Sequence, residues 1–175
     1  MGLQRYTLKH FDGENCYNLI KLNLLVMNLR KILIAVDNST CSEKAAKTGY
    51  ELAKTFGAEV ALVNIIEPIP ATMNQDLTLA PVFLETYDNS EENSHLLLKE
   101  IETTYGQGVT TTYLSVIDSA AHGIIKQSDE WGSDLIVIGT YGRTGLYHFL
   151  MGSVAEHVAR KSACPVLIIP NKAEV

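Results

Sequence analysis

Five short apolar runs punctuate the chain, at 31–36 (Lys-Ile-Leu-Ile-Ala-Val), 60–66, 109 to about 117, 135–138 (Leu-Ile-Val-Ile) and 166–169 (Val-Leu-Ile-Ile). They are continuous and rich in β-branched residues, as strands of a parallel sheet buried on both faces must be. The third is the exception. Its polar Thr110, Thr111 and Thr112 beside Tyr113 predict a strand at the sheet edge.

Between the runs the period changes to that of a helix. Asp37-Asn38-Ser39 reads as a turn and cap, Thr40 and Glu43 stand at capping-box spacing, and Ala45, Gly49, Leu52 and Phe56 share one face before a stop at Gly57. Residues 67–89 hold Pro68, Pro70 and Pro81 with little periodicity and read as a long connection. Ser90 then caps a helix with Leu97, Ile101 and Tyr105 on one face, ended by Gly106 and Gly108. A third helix, 119–131, turns Ile124, Ile125 and Trp131 toward the sheet. A fourth begins at Gly152-Ser153, stacks Val154, Val158 and Lys161 with Ala155 and Ala159 beside them, and stops at Cys164-Pro165. Strands alternating with helices predict an open parallel five-stranded α/β sheet, Rossmann-like, with helices on both faces and right-handed crossovers.

The fourth strand leads into the chain's most distinctive stretch. Gly139, Gly142 and Gly145 stand three apart, and a helix follows at Gly152-Ser153. Strand, glycine loop and helix N-terminus together gather free backbone N–H groups and a positive helix end, the usual device for a phosphate. The Walker loop is excluded, because no lysine takes its place, and so is the dinucleotide fingerprint, because Gly139 and Gly142 are three apart. In open α/β sheets ligands bind beyond the carboxyl ends of the strands where the winding reverses. A ligand loop after strand four places strand four beside strand one, giving the order 3-2-1-4-5 and setting Asp37 across a crevice from 139–145.

The spacing Gly139, two residues, Gly142, nine residues, Gly152-Ser153 resembles the nucleotide loop of the universal stress protein family. Three further stretches carry the likeness: Val36-Asp37-Asn38-Ser39, Val63-Asn64-Ile65-Ile66, and Cys164-Pro165-Val166-Leu167-Ile168-Ile169-Pro170. It covers about 28–170, so residues 29–172 are taken as the domain, with the fold of adenine nucleotide alpha hydrolases. The resemblance implies the ATP-binding subgroup, with Mg held through the phosphates rather than by the protein. It implies that the amides of Gly142 to Gly145 and of Ser153, Val154 and Ala155 hold phosphates. Ala35 and Asp37 would meet the adenosine, and the Ile65 backbone would pair with the adenine edge. Gly139, Thr140, Arg143, Thr144 and Gly152 complete the candidate set. It also implies a homodimer in which 166–169 pair across a two-fold axis. Many relatives have Gly-Asp-Pro after strand three, where this chain has Asp118-Ser119-Ala120.

Plainer roles stand beside these. Ser153 precedes Glu156 by three and could simply be a capping box; Asp37 could be a turn residue; Arg143 could form a surface pair; and the hydroxyls of Thr140 and Thr144 could bond only their own loop. His148 and His157 have no partner at ligand or triad spacing, and Trp131 reads as a core or helix-end aromatic.

Composition narrows the classes. At 175 residues and 46% apolar the chain builds one domain. A net charge of -6 without a basic cluster gives no footprint for nucleic acid. Cys16, Cys41 and Cys164 are odd in number and far apart, which predicts neither a disulfide framework nor a zinc site and points to a reducing cytoplasm. No apolar run nears the roughly 20 residues that span a bilayer. Residues 1–28 lack a sustained period, and Met27 stands just before the first strand. They read as a start assigned upstream of an initiator at Met27, the reading we prefer, or as an extension packed on the domain. Two function classes follow: a regulatory protein that holds ATP and hydrolyses it slowly if at all, or an ATPase or other adenine-nucleotide enzyme of this fold. A structural dimer with an empty loop is a third. A dedicated hydrolase adds a placed base and a metal-binding carboxylate, and near the loop the sequence offers Asp37 and Arg143 alone.

Overall fold

A computed structural model describes residues 29–68, 80–140 and 152–170, with the backbone alone for 80–89. Residues 1–28, with Met27, and 141–151, with Gly142, Arg143, Thr144, Gly145 and His148, lie outside the described residues.

The five strands are β1 (Lys31–Ala35), β2 (Glu59–Ile66), β3 (Thr111–Ile117), β4 (Leu135–Gly139) and β5 (Val166–Ile169). They alternate with α1 (Thr40–Phe56), α2 (Ala80–Tyr105), α3 (Ala120–Trp131) and α4 (Ser153–Lys161). All strand pairs are parallel, and the sheet order is β3-β2-β1-β4-β5. The expected order and the edge position of the third strand are therefore what the fold shows.

Period-two alternation divides the core into two layers. Ile32 and Ile34 of β1 meet Ala45, Ala46 and Tyr50 of α1 and Leu98 and Ile101 of α2. Leu33 and Ala35 face Ile124 of α3 and Ala155 and Val158 of α4. With a layer on each face, these strands have no solvated side to mark with polar residues, which is why β1 and β4 read as apolar runs and β2 from Val60 on is broken by Asn64 alone. At the base of the sheet Asp134 ties β1 to β4: its Oδ2 accepts from Arg30 N at 2.8 Å and Lys31 N at 2.9 Å. Lys31 Nζ lies 5.1 Å from the centre of the Trp131 ring and donates to the Trp131 carbonyl, so that aromatic is a helix-end packing residue.

Several boundaries differ from the expected ones. The helix read as starting at Ser90 begins at Ala80, which shortens the connection after β2. Pro81 falls in its first turn, where a missing N–H costs nothing, so the proline that looked like a loop marker is compatible with a helix start. The cap of α1 is Ser39, as Asp37-Asn38-Ser39 predicts, and its side chain accepts from Ser42 N; it is the Thr40–Glu43 box that is not the cap. In α4, Ala155 and Val158 are buried while Ala159 and Lys161 are exposed, so the buried stripe is narrower than expected.

Two tyrosines pin the β3 edge to the helices. The buried Tyr50 hydroxyl lies 3.1 Å from Thr111 Oγ1, and the Tyr113 hydroxyl donates to Glu102 Oε2. Burial pushes Tyr50 up to about 12, and burial with the adjoining Glu102 carboxylate pushes Tyr113 up to about 12, both from 10.0. A phenol whose folded pKa exceeds its unfolded value contributes stability that is whole below the unfolded value and lost as pH rises through the folded one. We expect alkaline unfolding between pH 10 and about 12, with two of the eight tyrosines ionising only as the fold opens. Tyrosinate absorbance checks this; eight tyrosines titrating together with no lag behind the urea-unfolded chain would contradict it.

Candidate functional site

The winding reverses between β1 and β4, the central pair: β1 leads to α1 on one face and β4 to α4 on the other. Beyond their carboxyl ends lies a cleft of 1240 Å³. Ala35, Asp37, Ile65, Gly139, Thr140, Gly152, Ser153, Val154 and Ala155 all line it. Residues spread over 120 positions of sequence thus reach one cavity through a parallel sheet.

Each wall has a local cause. At the end of β1, Asp37 Oδ1 accepts from Ser39 N at 3.1 Å and Ser39 Oγ at 2.5 Å, while Ser42 Oγ donates to the Asp37 carbonyl. Asp37 is therefore a turn residue and a half-buried cleft residue at once, so its two proposed roles are not exclusive.

At the end of β4, Gly139 stands where α1 starts. A Cβ there would lie 2.8 Å from Cys41 Cβ and 3.0 and 3.1 Å from the Cys41 carbonyl carbon and oxygen. The close approach that requires this glycine is made to α1, and its φ is not in the left-handed range. Thr140 follows, buried, with its N–H donating to the Ile169 carbonyl at 2.9 Å and its carbonyl accepting from Gly152 N at 2.8 Å. That last bond joins the end of β4 to the start of α4.

Gly152 is the N-cap of α4 and brings no side-chain cap bond. Ser153 is the first helical residue and exposed, so the Ser153–Glu156 capping box is not formed. The first helical backbone bond runs from Glu156 N to Gly152 O at 3.0 Å. The amides of Ser153, Val154 and Ala155 precede it at the positive end of the helix and have no intrahelical acceptor. They stand at the cleft wall.

The other walls were not legible beforehand. Asn64, buried at 6% exposure, donates from Nδ2 to the Val36 carbonyl at 2.8 Å and lines the cleft. From α2 come Ser90, Asn93, Ser94 and Leu97, residues of the expected helix whose place at the cleft the sequence pattern does not mark. Among the described lining residues the charged groups are Asp37, Glu67, Glu100 and Glu156, all carboxylates. Against these carboxylates a bound polyanion is favoured by backbone amides and by a cation of its own, because like charges in a partly buried cleft repel.

At the Asp118-Ser119-Ala120 departure, the Asp118 carboxylate accepts from Ser119 N at 2.7 Å and meets His122 Nδ1 at 2.7 Å. The His122 hydrogen bond holds this carboxyl below the usual carboxylate range. Asp118 thus builds the turn that leads into α3. Gly123 one turn on lets α3 close on β2, since a Cβ there would stand 2.7 Å from Ile65 Cδ1. His157 is exposed, and among the described residues no group of three or more His, Cys, Asp or Glu forms a metal site.

Comparison with known proteins agrees with this architecture. The profile of the universal stress protein family matches residues 28–170. Universal stress protein MJ0531 of Methanocaldococcus jannaschii is 30% identical over 171 residues, covering 97% of this chain and 92% of its own length. The solved structure of the hypothetical protein MJ0577 superposes with a TM-score of 0.72 at 26% identity, over 83% of this chain and 98% of that one. Two further structures share the fold: a universal stress protein in complex with cAMP (TM-score 0.60, 20% identity, 82% of this chain and 98% of that one) and one from Archaeoglobus fulgidus in complex with dAMP (0.54, 22%, 82% and 98%). With the profile spanning both layers of the core and every wall of the cleft, the chain belongs to the universal stress protein family.

Proposed function

We propose that this protein binds ATP in the cleft between β1 and β4 and acts as a nucleotide-dependent regulatory protein of the stress response. The observation that carries the reading is the convergence of three first-turn amides of α4 that precede its first intrahelical bond, the turn at Asp37 and the Ile65 strand end on one cavity at the switch point. Two structures of this fold are complexes with adenine nucleotides, cAMP and dAMP, which supports an adenine ligand. The amides of Ser153 to Ala155 suit its phosphates, Ala35 and Asp37 its adenosine, and Ile65 its base edge. Gly142, Arg143, Thr144 and Gly145 complete the proposed phosphate loop.

The carboxylate-lined cleft makes Mg a natural companion of the ligand. Held by phosphate oxygens, it would lower the anionic charge set against Asp37, Glu67, Glu100 and Glu156. Regulation is preferred to catalysis because Asp37, the acidic candidate of the loop, is held by Ser39 rather than aimed as a base. The β5 edge, Val166–Ile169, is half-buried along its length and apolar, which suits strand pairing with a second copy. The two described cysteines, Cys41 and Cys164, are free, as fits work in a reducing cytoplasm.

ATP·Mg at about 100 times its dissociation constant should stabilise the fold by about 2.7 kcal/mol, with light scattering of the same sample giving a dimer. An unchanged melting temperature at millimolar ATP would refute the binding; a monomer at micromolar concentration would refute the pairing.

A further inference from the structure

Asn64 interrupts an otherwise apolar strand, and a buried amide in such a place needs partners. Its position in the ladder indicates what it does. In β2 the main-chain groups of odd-numbered residues face β1: Glu59 N donates to Arg30 O at 2.7 Å, and Val63 O accepts from Val36 N at 2.9 Å. Those of even-numbered residues face β3: Val60 N donates to Thr110 O at 2.9 Å, and Ile66 O accepts from Asp118 N at 3.1 Å. The next donor toward β1 is therefore Ile65 N–H, and a continued ladder would give it the Val36 carbonyl. That carbonyl instead takes Asn64 Nδ2 at 2.8 Å, and the β1–β2 register ends at Ala35↔Val63.

Ile65 is thus left with a main-chain donor and acceptor directed to the side where β1 has ended, on the cleft wall. A strand edge of this kind pairs with a base that offers one acceptor and one donor side by side. Adenine does so at N1 and its N6 amino group; guanine offers the reverse order at O6 and N1, so it meets the same two main-chain groups only with its ring turned over in the cleft.

We infer that Asn64 is a positioning residue that keeps the Val36 carbonyl from capping Ile65 N–H and so holds the Ile65 main chain open as a reader of adenine. The inference rests on the nucleotide-binding reading above. Removing the side-chain donor lets β1 and β2 zip one bond further, so the base-reading edge closes while the sheet stays paired.

Amide hydrogen exchange by NMR, with calorimetric titration of ATP and GTP, tests this on the full chain and on Asn64→Val. In the wild type, Ile65 N–H exchanges freely without nucleotide and slows when ATP is added. In Asn64→Val it is slow before any nucleotide is added, ATP binds about ten-fold more weakly, the worth of one hydrogen bond, and the preference for ATP over GTP narrows by a similar factor. Should that variant fail to fold, Asn64→Ala, which also lacks a side-chain donor, carries the same expectation, and the wild-type exchange is decided without any variant. A protected Ile65 N–H in the nucleotide-free wild type, or a variant with unchanged ATP affinity and preference, overturns the inference alone. A wild type that binds no nucleotide overturns the nucleotide-binding reading and this inference with it.

Discussion

Gly139→Ala is expected to destabilise the fold by about 3 kcal/mol, at the upper end of what one added methyl group costs in a packed site. The reason is the identity of the atoms it meets. Two of the three contacts, at 3.0 and 3.1 Å, are to the Cys41 backbone in α1, which cannot swing aside like the end of a long side chain. To admit the methyl group, the start of α1 must move from the end of β4, and the Asp37–Ser39 turn that caps α1 moves with it. The melting temperature should fall by roughly 10 °C, and ATP affinity should fall alongside, since Gly139 and Asp37 both line the cleft. Thermal unfolding of the variant with and without ATP checks both. A variant as stable as the wild type would mean that α1 and β4 are not in contact as described.

A second large effect lies deeper in the same layer. Ile34 is fully buried in β1, and Gly49 of α1 sits directly upon it: a Cβ on Gly49 would be 2.4 Å from Ile34 Cδ1 and 2.8 Å from Cγ1. Ile34→Ala should cost about 4 kcal/mol, a large share of the stability of a single domain, through lost burial and the cavity left behind. Gly49→Ala alone should also destabilise, by overpacking. Together the two changes should cost at least about 1 kcal/mol less than their sum, because the methyl group on α1 enters the space vacated on β1. Urea unfolding of the four proteins measures the coupling. Strict additivity would contradict the contact.

These packing relations also explain which parts of the molecule its sequence discloses. Central strands buried on both faces are mostly apolar and β-branched, so β1, β2 and β4 are visible as runs, and the alternation of strands and helices restricts the topology to few choices. The position of the glycine loop then selects the order, and with it the meeting of Ala35, Asp37, Ile65, Gly139 and Gly152 to Ala155 in one cleft.

What sequence conceals has physical causes as well. Ser39 and Thr40 are adjacent and can both cap, so only backbone geometry tells that Ser39 does. The first turns of α2 carry a proline among mixed residues, which resembles a loop until the helix is seen to begin at Ala80. Gly139 belongs to a glycine series that suggests a ligand, yet its missing side chain is required by α1. Asn64 had a signal that could have been used. A lone amide in the apolar strand Glu59–Ile66 must be satisfied if buried, and its partner, the Val36 carbonyl, stands next to Asp37.

The central claim is that the cleft holds an adenine nucleotide by its base and its phosphates together. Isothermal titration calorimetry of the full chain with ATP, ADP, AMP and GTP, each with and without magnesium, tests it most directly. Selectivity for adenine over guanine is expected, with affinity rising from AMP to ATP as phosphates reach the α4 amides and a gain from magnesium with ATP. Failure of all four nucleotides to bind at millimolar concentration, or equal binding of ATP and GTP, would contradict it.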